Sequence, residues 1–370
     1  MAQTWRVTPA KVAAFRLIDA LSLPLRPFLS RKKEERQVRS ILVMEPWHIG
    51  DVVLATPVLR ALRSRFPDAG ISLLGKQHAE ELLRHSGLVD EVIVFDLPWT
   101  AKSGKYAPGR YDRDAIHRLL GELRSRQFDL TIDARMDLRS NYLTWLTRAP
   151  RRIGYDFGGG SFLLTDAVPA DPDKHHRVDD WLELMKPLGS TERFEPVLRV
   201  TESERAWAAQ LLAGYGISPG DTIVAIHGGA SDERRKWAAE KYESVARRLV
   251  ERYGARIVWF LDPDTPDRDV AVASATVRTS LREMMAILSH CSLVMCNDSG
   301  PMHIADALGV PVVAVFLTGN PVWHRPFRSN QEVVGEGTGH DFLVAPKEDQ
   351  VLQAAERQLQ RVLRAAGTTG

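Results

Sequence analysis

The sequence predicts an α/β protein made of two similar halves, each a parallel sheet wrapped by helices. Three observations lead there. Short apolar runs alternate with stretches of helical period, as strands and crossover helices do in a parallel sheet. The alternation halts near residues 187–200, where Pro187, Gly189, Ser190 and Pro196 make a linker, and then restarts. The 370 residues leave room for two domains with a core each.

In the first half, Ser40 to Met44 reads as a short buried strand and Glu45 to Gly50 as a loop. A helix then runs to Phe66, with Val58, Leu59, Leu62 and Phe66 at helical spacing. Ile71 to Leu74 and Val92 to Phe95 are further strands, with a helix over 79–86 between them. Residues 97–114, rich in Gly, Pro, Lys and Arg, form a long loop before a helix over 115–126 and a strand over 129–133. In the second half, Thr201-Glu202-Ser203-Glu204 is a capping box opening a helix that Gly216 closes. Strand 222–227, helix 238–253 and strand 256–261 follow, and Ser280 with Glu283 opens another helix to about His290. Strand 292–296, helix 301–308, strand 310–316 and an amphipathic helix over 347–365 complete the chain.

The net charge of +2 points neither toward nor away from nucleic acid, but its distribution is uneven. Residues 1–40 carry nine Lys or Arg against Asp19, Glu34 and Glu35, a net +6, and the remainder is about −4. Trp5, Val12, Phe15, Ile18 and Leu21 lie beside Arg6, Lys11 and Arg16 in this arm, with Arg31-Lys32-Lys33 following. Such a helix suits an anionic membrane surface; docking on the first domain explains it equally well. Cys291 and Cys296 form no disulfide or zinc pattern, which fits a reducing compartment. No apolar run approaches the ~18–20 residues needed to span a bilayer, and the stretch from Val12 to Leu25, broken by Arg16 and Asp19, is too polar for a signal-peptide core.

Three elbows carry chemistry. The first, Ile49-Gly50-Asp51, lies between a strand and a helix. Gly50 permits a tight turn or close approach, and Asp51 reads either as a general base for an attacking hydroxyl or as an ordinary helix cap. The second, Ile226-His227-Gly228-Gly229-Ala230-Ser231, precedes Arg234-Arg235-Lys236-Trp237. Three cations before a helix oppose its dipole, so the loop is either an anion site or a solvated basic turn. The third is Asn297-Asp298-Ser299-Gly300-Pro301-Met302-His303. Ser299 and Gly300 suit caps, Pro301 the first helical position and Gly309 the C-terminal stop. The uncapped amides of that first turn suit a diphosphate, with Asp298 and His303 fixing hydroxyls; a capped structural helix with His303 in the core is the alternative. His175-His176 lacks further ligand spacing for a metal, and Gly158-Gly159-Gly160 matches no dinucleotide fingerprint.

Together these elements resemble glycosyltransferase family 9, the heptosyltransferases of lipopolysaccharide assembly. The family's I-G-D-x-x-x-x-x-P is matched by Ile49 to Pro57, its I-H-P-G-A-like turn by Ile226 to Ala230, and its K-x-W or K-R-W segment by Lys236-Trp237. Its N-D-S-G-P-M-H-x-A-x-A-L-G-x-P is matched from Asn297 to Pro311 without a gap. The likeness covers roughly residues 39–360 and leaves the basic arm outside. Gly228 stands where Pro is common, Leu317 to Pro321 replaces a G-P-T-D-P turn, and Leu261 to Asp264 replaces a Gly-rich turn.

The resemblance implies an α/β fold of GT-B type: two Rossmann-like domains with parallel sheets facing a central cleft. An arm over 1–38 would precede an acceptor-binding domain over 39–190 and a nucleotide-sugar-binding domain over 191–345, and a helix over 346–370 would pack back toward the first domain. It also implies an inverting, metal-independent transfer of heptose from ADP-heptose to a lipid-linked glycan, with no cofactor beyond the donor and no nucleic acid. Asp51 would be the base and Lys236 would neutralise donor phosphate. Ser299, Gly300, Pro301 and Met302 would present the helix N-terminus to the diphosphate, Asp298 and His303 would contact donor sugar or phosphate, and Gly50, His227, Gly229, Ala230 and Ser231 would line the substrate sites. The location expected is cytoplasmic, at the inner face of the membrane. A nucleotide-sugar epimerase and a non-catalytic binding module are the other functions the same residues allow.

Overall fold

Ile41 to Met44 are buried on both faces, as an all-apolar strand in the middle of a parallel sheet must be. They belong to β1 (Ser40–Met44), which a computed structural model places between β2 (Gly70–Gly75) and β4 (Leu130–Asp133), parallel to both. With β3 (Glu91–Val94), β5 (Arg151–Tyr155) and β6 (Asp166–Val168) the sheet order is β3-β2-β1-β4-β5-β6. The structure describes residues 9–30, 37–101, 111–170, 175–263, 266–318, 320–335 and 344–367. Trp5, Arg6, Arg31 to Lys33, most of the expected 97–114 loop, Asp264 and Gly319 lie outside the described residues.

The described chain divides into two compact units, meeting at Phe194 and Glu195. The second unit repeats the first one's plan. Its strands are β7 (Ile223–His227), β8 (Arg256–Phe260), β9 (Ala275–Val277), β10 (Leu293–Asn297), β11 (Val312–Val315) and β12 (Glu332–Val334), in the order β12-β11-β10-β7-β8-β9. Numbered within each unit, both sheets read 3-2-1-4-5-6, the doubly wound order. Its switch point lies between the first and fourth strands, where connections leave in opposite directions and open a crevice at the strand C-termini.

Helix Ile49–Arg65 follows β1 and is buried from Val52 to Leu59. Pro57 lies inside it and cannot donate to the Val53 carbonyl; the Thr56 hydroxyl does so instead, at 2.7 Å. Both expected capping boxes form, with Thr201–Glu204 and Ser280–Glu283 exchanging backbone and side-chain hydrogen bonds. The last helix is Glu348–Gly367. It packs on the sheet of its own unit, and Val351, Leu352, Ala355 and Leu359 join a core with Val313, Val315, Leu249 and Trp237.

The N-terminal arm forms helix Pro9–Ser22 and the short helix Arg26–Leu29, and it docks on the first unit. The Asp19 carboxylate accepts hydrogen bonds from the Gly160 and Ser161 backbone N–H groups at 2.8 and 3.2 Å. Gly158, Gly159 and Gly160 all have positive φ, and a Cβ on Gly158 would strike the Met136 backbone. The triple glycine is therefore a structural turn that receives the arm.

Candidate active site

In the first unit the switch point lies between β1 and β4. Met44 pairs with Asp133, so the segments leaving the two strands start side by side. Glu45 is the residue after β1, and Arg135 stands two residues after β4. The Arg135 guanidinium meets Glu45 at 2.8 Å and Asp51 at 3.0 Å and lies over the Trp47 ring, 4.7 Å from its centre. Burial works against its charge, but the Asp51 and Glu45 carboxylates outweigh burial and hold it above the ordinary arginine value. Glu45 is fully buried, and that burial, opposed by Arg135, pushes its carboxyl up to about 7. Asp133, also fully buried, is raised well above the usual carboxylate range by burial although its side chain accepts from the Arg135 N–H at 3.0 Å.

Asp51 occupies the first turn of helix Ile49–Arg65, beside the half-buried Gly50. One carboxylate oxygen accepts from the His48 backbone N–H at 3.3 Å while the other meets Arg135. The helix-capping role and the polar cluster coexist in one side chain.

In the second unit the switch point lies between β7 and β10, and the other two elbows sit there. Asn297, the last residue of β10, ties them together. Its amide oxygen accepts from the Trp237 N–H at 3.1 Å and the Tyr242 hydroxyl at 3.0 Å, and its NH2 donates to the Gly228 carbonyl at 2.7 Å. His227 ends β7 with Nε2 3.2 Å from an Asp262 carboxylate oxygen. Gly229 is pressed against that carboxylate so closely that a Cβ would collide with it. Ala230 is half-buried and Ser231 exposed.

Helix Gly300–Ala307 begins with Ser299 at its N-cap and Pro301 in its first turn. The expected Ser299 side-chain cap does not form; the hydroxyl donates to the Asn297 carbonyl at 3.3 Å instead. Ser299, Gly300 and Pro301 are half-buried, whereas Met302 and His303 are buried. Asp298 is buried and ion-paired with Arg235 at 3.3 Å; burial, only partly offset by Arg235, raises its carboxyl to about 6.

Each cation of the basic loop has a carboxylate. Arg234 meets Asp232 at 2.6 Å, Arg235 meets Asp298, and Lys236 meets Glu233 at 2.5 Å. The conflict between three cations and the N-terminus of helix Ala239–Tyr253 is thus answered by Asp232 and Glu233 within the loop and by Asp298 from the neighbouring elbow. Lys236 sits on a flexible stem with an exposed partner, Glu233, and can exchange it for a stronger anion. Sequence reasoning did not single out Glu45, Arg135, Arg235 or Asn297. Arg235 was visible as part of the cation run, but Glu45 and Arg135 meet only once the strand order is known. Among the described residues, no group of three or more His, Cys, Asp or Glu is arranged to hold a metal.

Two doubly wound units of this kind are the building plan of the GT-B fold. The family model for glycosyltransferase family 9 (heptosyltransferase) matches residues 116–349, and the chain belongs to that family. It is a glycosyltransferase of GT-B fold. It is 23% identical over 322 residues to the lipopolysaccharide heptosyltransferase 2 of Salmonella typhimurium, covering 81% of this chain and 89% of that one. A solved glycosyltransferase family 9 structure from Veillonella parvula superposes with a TM-score of 0.72 at 24% identity, covering 87% of this chain and 97% of that one. The E. coli ADP-heptose lipopolysaccharide heptosyltransferase II superposes with a TM-score of 0.71 at 20% identity, over 87% of this chain and 99% of that one.

Proposed function

We propose that this glycosyltransferase moves heptose from ADP-heptose to a lipid-linked glycan of lipopolysaccharide type, in a single inverting displacement that uses no metal. The observation that carries the reading is the Asn297–His303 elbow. Helix Gly300–Ala307 opens without a side-chain cap from Ser299, with Arg235 paired to Asp298 beside it and Lys236 on the adjoining loop. Helix amides and cations suit a diphosphate whose negative charge grows as it leaves. The names of the relatives, among them an ADP-heptose enzyme, support the donor.

In this reading the Asp51 carboxylate removes the acceptor hydroxyl proton as the oxygen attacks the anomeric carbon. The bond from that carbon to the diphosphate oxygen breaks, and its electron pair leaves on the nucleotide. The N-terminal end of helix Gly300–Ala307 and the Lys236 ammonium meet that charge, and one displacement inverts the anomeric centre. Arg135, anchored by Glu45, fixes the orientation of Asp51.

The test is a donor panel. Thermal shift with ADP-, UDP- and GDP-sugars reports binding to the folded state, and mass spectrometry of a truncated lipopolysaccharide acceptor reports transfer. The reading predicts stabilisation and transfer with ADP-heptose; response to UDP- or GDP-sugars alone contradicts it.

A further inference from the structure

The outer face of the N-terminal arm is apolar. Leu17, Leu21, Leu25 and Phe28 are 60, 72, 52 and 83% exposed. Four large apolar side chains exposed within twelve residues of one arm mark a surface that meets a partner. Leu17 and Leu21 stand one helical turn apart. The opposite face of the same helix, Phe15 and Asp19, is spent on the domain: Phe15 lies against Gly159, and Asp19 accepts from Gly160 and Ser161. Farther along, Arg152 donates to the Leu29 carbonyl at 2.7 Å. The arm is therefore pinned on one side with its apolar side turned out.

Charge selects the occupant. Arg16 and Arg26 are exposed beside the patch, and residues 1–40 carry a net +6 in a chain whose remainder is about −4. A second copy would set one basic arm against another. An anionic bilayer answers both features, taking apolar side chains into its interface and cations at its headgroups.

We propose that Leu17, Leu21, Leu25 and Phe28, flanked by Arg16 and Arg26, form a docking surface for an anionic lipid bilayer. This deepens the reading of a lipid-linked acceptor by naming how the enzyme reaches the membrane. Binding is read without donor or acceptor, so its failure leaves the transfer reaction untouched.

The test is sedimentation of the full chain with vesicles of phosphatidylcholine alone and of phosphatidylcholine with phosphatidylglycerol. The wild type is expected to pellet with the anionic vesicles and to be released by high salt. The triple variant Leu17→Ser, Leu21→Ser, Phe28→Ser is expected to bind at least tenfold more weakly, with unchanged melting temperature and unchanged transfer to a soluble acceptor. A second readout is independent of that variant. Cys291 and Cys296 are buried, so Leu21→Cys can be labelled selectively with a polarity-sensitive dye, whose emission should shift to the blue on anionic vesicles. Three results overturn the proposal: no vesicle binding by the wild type, equal binding by the triple variant, or a dye that responds to chain dimerisation and not to lipid.

Discussion

The Arg135 guanidinium stands 3.0 Å from the Asp51 carboxylate, and the buried Glu45 holds it there from the other side at 2.8 Å. The residue proposed as base is thus fixed by a partner from the neighbouring strand's exit. Glu45 is charged only against the cost of burial, and this gives the cluster a pH signature.

The Glu45 carboxyl is raised from 4.5 to about 7, chiefly by burial. The folded chain keeps a proton that the unfolded chain releases between those values, so stability falls as pH rises through that window. Asp298, raised by burial from 3.8 to about 6, acts in the same direction at lower pH. Glu45→Gln keeps an accepting oxygen for Arg135 and removes the Glu45 share, roughly 2 kcal/mol between pH 5 and 7. Urea unfolding at pH 5, 6 and 8 should give a visibly flatter profile for the variant. Parallel profiles would deny that burial raises the Glu45 carboxyl.

Removing Arg235 leaves Asp298 buried without its cation, beside the elbow proposed to hold the diphosphate. Arg235→Ala and Lys236→Ala should each weaken ADP binding by about tenfold, or ~1.4 kcal/mol, in calorimetry. Unchanged dissociation constants in both variants would take the phosphate role away from this loop.

Asn297→Ala deletes three hydrogen bonds that join the two elbows of the second unit. At ~1 kcal/mol each, with the Trp237 N–H and Tyr242 hydroxyl left buried, the loss should reach about 3 kcal/mol or more. Chemical denaturation checks it; a loss under about 1 kcal/mol would mean that water or a shifted loop replaces the amide.

Elements with a strong local signal were legible in the chain. β1 and β10 are continuous apolar runs, and the two capping boxes announce their helices with side chains only three positions apart. Gly309, read as a helix stop, has φ +79°. β6, β9 and β12 were missed because each has three residues, too few to show a period, and β5 because Arg151, Arg152 and Gly154 break its apolar run. Helix Leu138–Leu146 was missed because much of its circumference is buried and polar residues such as Ser140, Asn141 and Thr144 lie inside, blurring the amphipathic stripe. The site divided the same way. Asp51 and the Asn297–His303 elbow carry motifs, whereas Arg135 and Glu45 acquire meaning only from the pairing of β1 with β4. The arm was readable as amphipathic, but nothing local revealed that Gly158 to Gly160 form its seat.

The central claim is that the Asp51 carboxylate takes the acceptor proton, and Asp51→Asn tests it most directly. Asparagine keeps an oxygen for the His48 N–H, so the helix start should survive. With ADP-heptose and a truncated lipopolysaccharide acceptor, single-turnover transfer should fall by ~10²–10⁴-fold, the usual worth of a general base, while donor affinity stays within about twofold. Transfer at close to the wild-type rate, or a loss explained wholly by weaker donor binding, would contradict the account.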